Sequence, residues 1–144
     1  MSYSTSSQAI HQYGRVRAHG GVEAASPHQL TAMLFDGALS RIASARGHME
    51  RGEIAAKGEC ISRSIEILSG LRVSLDPVRG GELAEHLESL YEYMSRRLLQ
   101  ANAGNDLDAL DEVARLLRPI TEAWDSIPTE LRNPPRETAP AAQA

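Results

Sequence analysis

The sequence predicts an all-α protein: an antiparallel up-down-up-down four-helix bundle with a short N-terminal helical element and a disordered C-terminal tail. Three observations point there. Four long stretches carry apolar residues at helical spacing, separated by short breaks containing Gly or Pro. No stretch shows the sustained apolar–polar alternation of a strand. Aromatic content is only 4%, so the core must be built from Leu, Ile, Val, Ala and Met, which suits helices better than sheet sandwiches. A chain of 144 residues is about one domain's worth.

Residues 1–25 read as a flexible arm. They begin polar and Ser-rich and contain the patch Ala9-Ile10-His11-Gln12-Tyr13, where one helical turn would put Ile10 and Tyr13 on the same side. The bundle is expected over residues 26–127. Ser26 is placed as the N-cap of the first helix, Pro27 at its first position and Gln29 at the capping-box position. This helix should reach about Arg51, with Leu30, Leu34, Ala38, Ile42, Ala45 and Met49 along one stripe and Gly52 as its stop. The second should run from Glu53 to Leu75, burying Ile54, Ile61, Ile65 and Leu68, and end at Asp76-Pro77. After a turn at Arg79-Gly80-Gly81, the third should span Glu82 to Ala103 on a stripe of Leu83, Leu87, Leu90, Tyr91, Met94 and Leu98. The fourth should start at Asp106 and reach Ile127, burying Leu107, Leu110, Val113, Leu117, Ile120 and Trp124. Pro119 lies inside it, removes a hydrogen bond and should kink it or split it in two. Residues 128–144, rich in Pro, Ala, Thr and charge, are expected to be a disordered tail. Connections this short make successive helices antiparallel neighbours.

Composition narrows the function. A net charge of -4 and a pI near 5.7 argue against nucleic-acid binding. With the single cysteine Cys60, the chain can form no internal disulfide and no cysteine-type zinc quartet, which fits a reducing compartment. There is no charged-then-apolar leader at the N-terminus, and no apolar run approaches the roughly 20 residues that span a bilayer. A soluble cytoplasmic protein without membrane insertion is expected. Catalysis finds no support. The five histidines make no Glu-x-x-His or His-Glu-x-x-His pattern, His28 should face solvent in a first helical turn, and Cys60 is expected to be a small buried residue. Neither Gly20-Gly21 nor Gly80-Gly81 is followed by the Lys-Ser/Thr of a phosphate loop. No metal, cofactor or catalytic residue is therefore assigned.

Apolar residues exceed what a bundle core needs. Phe35 and Leu39 on the first helix, Val73 on the second, Tyr93 and Leu99 on the third and Leu116 on the fourth fall at the edge of their stripes or outside. Taken singly, each is more simply a widened core or an isolated exposed side chain. Together they suggest apolar grooves on the outside of the bundle, of the kind that receive amphipathic helices or extended apolar segments.

Several segments, in order, resemble one family. Ala25-Ser26-Pro27-His28-Gln29-Leu30, Met33-Leu34-Phe35-Asp36-Gly37-Ala38, Gly80-Gly81-Glu82-Leu83-Ala84, Leu90-Tyr91-Glu92-Tyr93-Met94 and Arg96-Arg97-Leu98-Leu99-Gln100-Ala101-Asn102 are similar to the FliS family of flagellar export chaperones. Glu112-Val113, Leu116-Leu117 and Glu122-Ala123-Trp124 continue the likeness, which covers roughly Ile10 to Ile127. The resemblance implies a helical bundle without enzymatic activity that binds the disordered C-terminal segment of flagellin in the cytoplasm. It implies that binding prevents premature polymerisation and supports delivery to the flagellar type III export gate, with flagellar regulators as possible further partners. It also implies that Ile10 and Tyr13 form an element able to cover the groove. Candidate partner-binding residues are then Ile10, Tyr13, Phe35, Leu39, Tyr91, Tyr93, Met94 and Leu99. The alternative is a helical adaptor that uses the same groove for another secreted subunit or a flagellar regulator.

Overall fold

The computed structural model describes residues 26–132. The expected N-terminal element with Ile10 and Tyr13, and the expected tail beyond Arg132, lie outside the described residues. Four long helices form: α1 (Pro27–Glu50), α2 (Ile54–Val73), α3 (Pro77–Gly104) and α4 (Leu107–Asp125). A single further turn, α5 (Thr129–Arg132), extends order past the boundary expected at Ile127. Its Arg132 guanidinium donates to the Ile127 and Asp125 carbonyls at 2.8 and 2.9 Å, which ties the turn to the end of α4.

The helix ends follow from local chemistry. Ser26 caps α1 as a capping box: its Oγ accepts from the Gln29 N–H, and the Gln29 side chain accepts from the Ser26 N–H. Such a cap is worth about 1 kcal/mol. At the other end Gly52 takes φ +73°, the Gly52 N–H reaches the Met49 carbonyl and the Glu53 N–H reaches that of His48. That pairing is a Schellman stop, which needs a left-handed residue beyond the helix. Asp76 caps α3 by accepting from the Val78 and Arg79 N–H groups, and Pro77 opens the helix. Here the structure departs from the expected turn. Residues 77–80 already wind as helix, and the break is confined to Gly81 at φ 51°, ψ -129°. At α4 the Asp106 side chain accepts from the Ala109 N–H, as its cap position predicts.

Pro119 does not split α4 in two: the helix is continuous from Leu107 to Asp125. Arg115 and Pro119 both lie on its exposed face. There water can serve the Arg115 carbonyl that the proline ring leaves without an amide partner.

Each long helix packs on the next, and α4 packs back on α1, closing a ring. Polar cross-links give the directions. The start of α1 bonds the end of α4 through His28 and Trp124, and the end of α1 bonds the start of α4 through Arg46 and Asp111. Likewise Lys57 at the start of α2 bonds Asn102 and Asn105 at the end of α3. Both pairs therefore run antiparallel.

Fully buried alanines, Ala38, Ala45, Ala101 and Ala109, let the helices approach closely, while Ile61, Leu68, Leu71, Met94, Leu98, Leu110, Val113 and Leu117 fill the volume between them. On α1 the buried face is Phe35, Ala38, Ile42 and Ala45, with Leu34 only partly covered. This rotates the expected stripe by one residue toward Phe35. Ile54 and Leu83, assigned to stripes by their spacing, are exposed, since each sits in the first turn of its helical segment.

The stripe of α2 also contains a charge. Lys57 is 3% exposed, and its ammonium donates to the Asn102 carbonyl at 2.9 Å and to Asn105 Oδ1 at 2.6 Å. It thereby serves the C-terminal end of α3, where a cation is favoured by the helix dipole. Asn105 holds its side chain there from a left-handed backbone, φ 50°.

Gly81 and Gly104 should respond oppositely to alanine. At Gly81 the positive φ strains any side chain, so Gly81→Ala should lower unfolding free energy by about 1–3 kcal/mol. At Gly104 an added Cβ meets nothing within 4 Å, so Gly104→Ala should raise it by up to about 1 kcal/mol. Urea titrations read both, and a Gly81→Ala protein as stable as the parent would remove the break from the account of α3.

Candidate functional site

The groove lies at the end of the bundle where α1 and α3 begin and α2 and α4 finish. Its volume is about 500 Å³. From α1 come Pro27, His28, Thr31 and Phe35, from α2 Leu71, from the connection after it Ser74, Leu75 and Asp76, and from α3 Gly80, Leu83, Ala84, Leu87 and Tyr91. Ile120 and Trp124 of α4, Ile127 and the α5 residues Leu131 and Arg132 complete it. Most of this lining is apolar. Leu83 and Leu131 stand exposed at its edge, and Val73 and Val78 are exposed on the segments that border it.

Aromatic side chains close one wall. The His28 and Trp124 rings stack with centroids 4.7 Å apart and planes 8° from parallel, and Phe35 meets Trp124 at 6.1 Å in a tilted arrangement. The pair is also doubly bonded. His28 Nε2–H donates to the Trp124 carbonyl at 2.8 Å, and Trp124 Nε1–H donates to the His28 carbonyl at 2.9 Å. A carbonyl only accepts, so the proton of the neutral ring is on Nε2. The expectation that His28 faces solvent is thus overturned: it is 5% exposed, because the Trp124 ring lies flat against it. Its Nδ1 is buried and has no hydrogen-bond partner among the described residues. Leaving such a group unsatisfied costs about 1–3 kcal/mol.

The proposed partner-binding residues among those described separate into four places. Phe35, 2% exposed, and Tyr91, also buried, line the groove from the core side, and burial pushes the Tyr91 hydroxyl up to about 12. Met94 is fully buried, and Leu39 packs half-buried against the core. Leu99, 58% exposed, stands near the opposite end of α3.

Tyr93 belongs to a polar notch between α3 and α4, formed with Arg96, Arg97, Gln100 and Glu112. The Tyr93 hydroxyl and Arg97 Nε–H each donate to Glu112 at 2.6 Å. Sequence spacing did not reveal this cluster, because its members come from two helices.

Among the described residues, no group of three or more His, Cys, Asp or Glu side chains is placed to hold a metal ion. Cys60 is buried, and no described helix is long and apolar enough to cross a membrane.

The notch and its neighbour predict an acid response. Hydrogen bonds from Tyr93 and then Arg97 hold the Glu112 carboxyl below its usual range, and Arg46 does the same for Asp111. A carboxyl whose folded pKa is lowered stabilises the fold above its unfolded value, and that contribution is lost as pH falls through the folded value. Melting temperature should hold between about pH 7 and 5 and decline below about 4. Glu112→Gln should remove part of the decline; an unchanged acid slope would free the notch of any share in it.

Comparison with known proteins places this architecture. Residues 9–131 match the family described as "Flagellar protein FliS". The chain is 50% identical over 119 residues to the flagellar secretion chaperone FliS of Salmonella typhimurium, covering 82% of this chain and 88% of that protein. It is 48% identical over 120 residues to the flagellar secretion chaperone FliSB of Pseudomonas aeruginosa, covering 83% and 95%. With FliS of Bacillus subtilis it shares 35% over 103 residues, covering 72% and 76%.

Proposed function

Because the chain belongs to the FliS family of flagellar proteins, we propose that it is a flagellar secretion chaperone whose cargo is the C-terminal segment of flagellin. It acts by binding and carries out no reaction. The groove at the α1–α4 end supports this reading: an apolar trough of about 500 Å³, rimmed by exposed Leu83 and Leu131, is suited to an unfolded apolar segment. Leaving such a segment free before export invites self-association, and covering its apolar face blocks that. Ordering the segment commonly costs about 2–5 kcal/mol or more. An extended contact offsets this by burying a large area.

Cargo contact begins at the groove above Phe35 and Tyr91 and continues along the bundle toward Leu39, Tyr93 and Leu99, with Met94 supporting Tyr91 from within the core. The span is long, since the 16 residues from Leu83 to Leu99 rise about 24 Å along α3. The arm carrying Ile10 and Tyr13 covers the groove when cargo is absent. Binding takes place in the cytoplasm, and the loaded chaperone is handed to the flagellar export gate. Regulators that present a similar apolar segment compete for the same groove.

Trp124 is the single tryptophan of the chain, so its fluorescence reports on the groove. Full-length flagellin should bind and shift the emission, whereas flagellin lacking its C-terminal segment should do neither. Equal capture of both forms would reject the cargo assignment and favour an adaptor for another partner.

Deleting residues 1–13 should leave the helical signal intact and raise the binding of an apolar dye. A dye signal equal to that of the full chain would rule out the covering role of Ile10 and Tyr13.

A further inference from the structure

We infer that His28 is a recognition residue: its Nδ1 accepts a hydrogen bond from a main-chain N–H of the bound segment, which selects non-helical backbone at this end of the groove. The inference rests on the groove being the cargo site.

Three observations carry it. His28 is one-twentieth exposed and lines the groove. Its other ring nitrogen is committed, because Nε2–H is held by the Trp124 carbonyl and the ring is stacked flat on the indole. The ring therefore cannot turn to bring Nδ1 to another group without losing both contacts. Nδ1 itself is a buried acceptor that no described residue satisfies. Buried polar groups in native proteins are nearly always paired, and an exception beside a binding groove points to a partner that arrives from outside.

The chemistry of that partner follows from the acceptor and its surroundings. Only an N–H or O–H donor fits a bare imidazole nitrogen. Phe35, Ile120 and Trp124 make the neighbouring wall apolar, so an extended segment lying there gives up water on its own N–H groups. Inside a helix those groups are already used within the helix. In an extended segment each residue offers one free N–H, and Nδ1 is a lining acceptor that no described residue uses. Because Nδ1 is closed to water in the free protein, the donor reaches it only with a local rearrangement, of the side-chain kind common when interfaces form.

The test uses the full chain and a synthetic peptide of the flagellin C-terminal segment, with Trp124 fluorescence as the binding signal. In the ¹⁵N spectrum of the free protein, His28 should show a protonated Nε2 and an unprotonated Nδ1. On saturation with peptide the Nδ1 resonance should move upfield, as a lone pair does on accepting a hydrogen bond, while Nε2 stays protonated. A scan of single N-methylated peptides should find one position where affinity falls by several-fold to about tenfold, the range of one hydrogen bond. The same N-methyl group should have no effect on a His28→Leu protein that still binds.

His28→Asn supplies a control, because its Oδ1 falls near the position of Nδ1 while the bond to Trp124 is lost. It should melt earlier yet keep the sensitivity to that N-methyl group. If His28→Leu does not fold, the spectrum and the His28→Asn scan decide the matter. Tight binding with an unmoved Nδ1 resonance and no sensitive position would overturn the role of His28 while leaving the cargo assignment intact. A peptide that fails to bind at all would overturn both, and a sensitivity traced to a Ser or Thr hydroxyl would overturn the main-chain donor.

Discussion

Closure of the ring between α1 and α4 is the constraint on which the rest of this structure depends. The other neighbouring helices are joined by short connections, but α1 and α4 meet only through side chains. At one end Arg46 grips Asp111 with two hydrogen bonds, Nε to Oδ1 and Nη2 to Oδ2, at 2.7 and 3.2 Å. At the other end His28 and Trp124 stack and exchange hydrogen bonds with each other's carbonyls. The first clamp is partly solvated, and pairs of that kind contribute little. The second is mostly buried and apolar on its faces, so it gains from area as well as from bonding.

The same contact makes the groove. Elsewhere the helices approach over alanines, which leave no room between them. Around Trp124 the side chains are large, and the neighbouring helices end or begin at different levels. Helix α2 stops at Val73, and α3 turns once and breaks at Gly81. An added Cβ at Gly80 would lie 2.7 Å from that of Ala84, so the tight approach before the break depends on a residue without a side chain. The apolar trough is thus the result of unequal helix ends over an aromatic wall, and it remains where the core cannot close.

Much of this was legible in the sequence. Capping chemistry is local, and Ser26, Pro27, Gly52 and Asp106 act at the places their residue types predict. Spacing also found the four helices and most of the core. It failed where a partner on another helix decides the outcome. His28 looks solvent-facing until Trp124, 96 residues later, covers it. Phe35 looks peripheral on a helical wheel until the same indole packs against it. Lys57 fills a gap in the α2 stripe, three residues after Ile54 and four before Ile61, and that gap was a signal for a buried polar residue. Its meaning required Asn105 on α3. The polar notch around Glu112 was illegible for the same reason, since its five side chains come from two helices.

An apolar groove by itself discriminates poorly. Hydrophobic burial is nearly proportional to area and indifferent to direction, so any greasy segment of suitable size gains from entering. A buried acceptor changes the comparison. An occupant that brings a donor to His28 Nδ1 satisfies a group that is otherwise orphaned, whereas one that brings only carbon leaves it so. The discrimination is then one hydrogen bond, which the right occupant gains and the wrong one does not. Such an arrangement suits a carrier. On this reading, selectivity comes from what the incorrect partner fails to provide. His28 can serve in this way because Trp124 fixes the ring, so its acceptor is held in one orientation at a standing cost to the stability of the free protein.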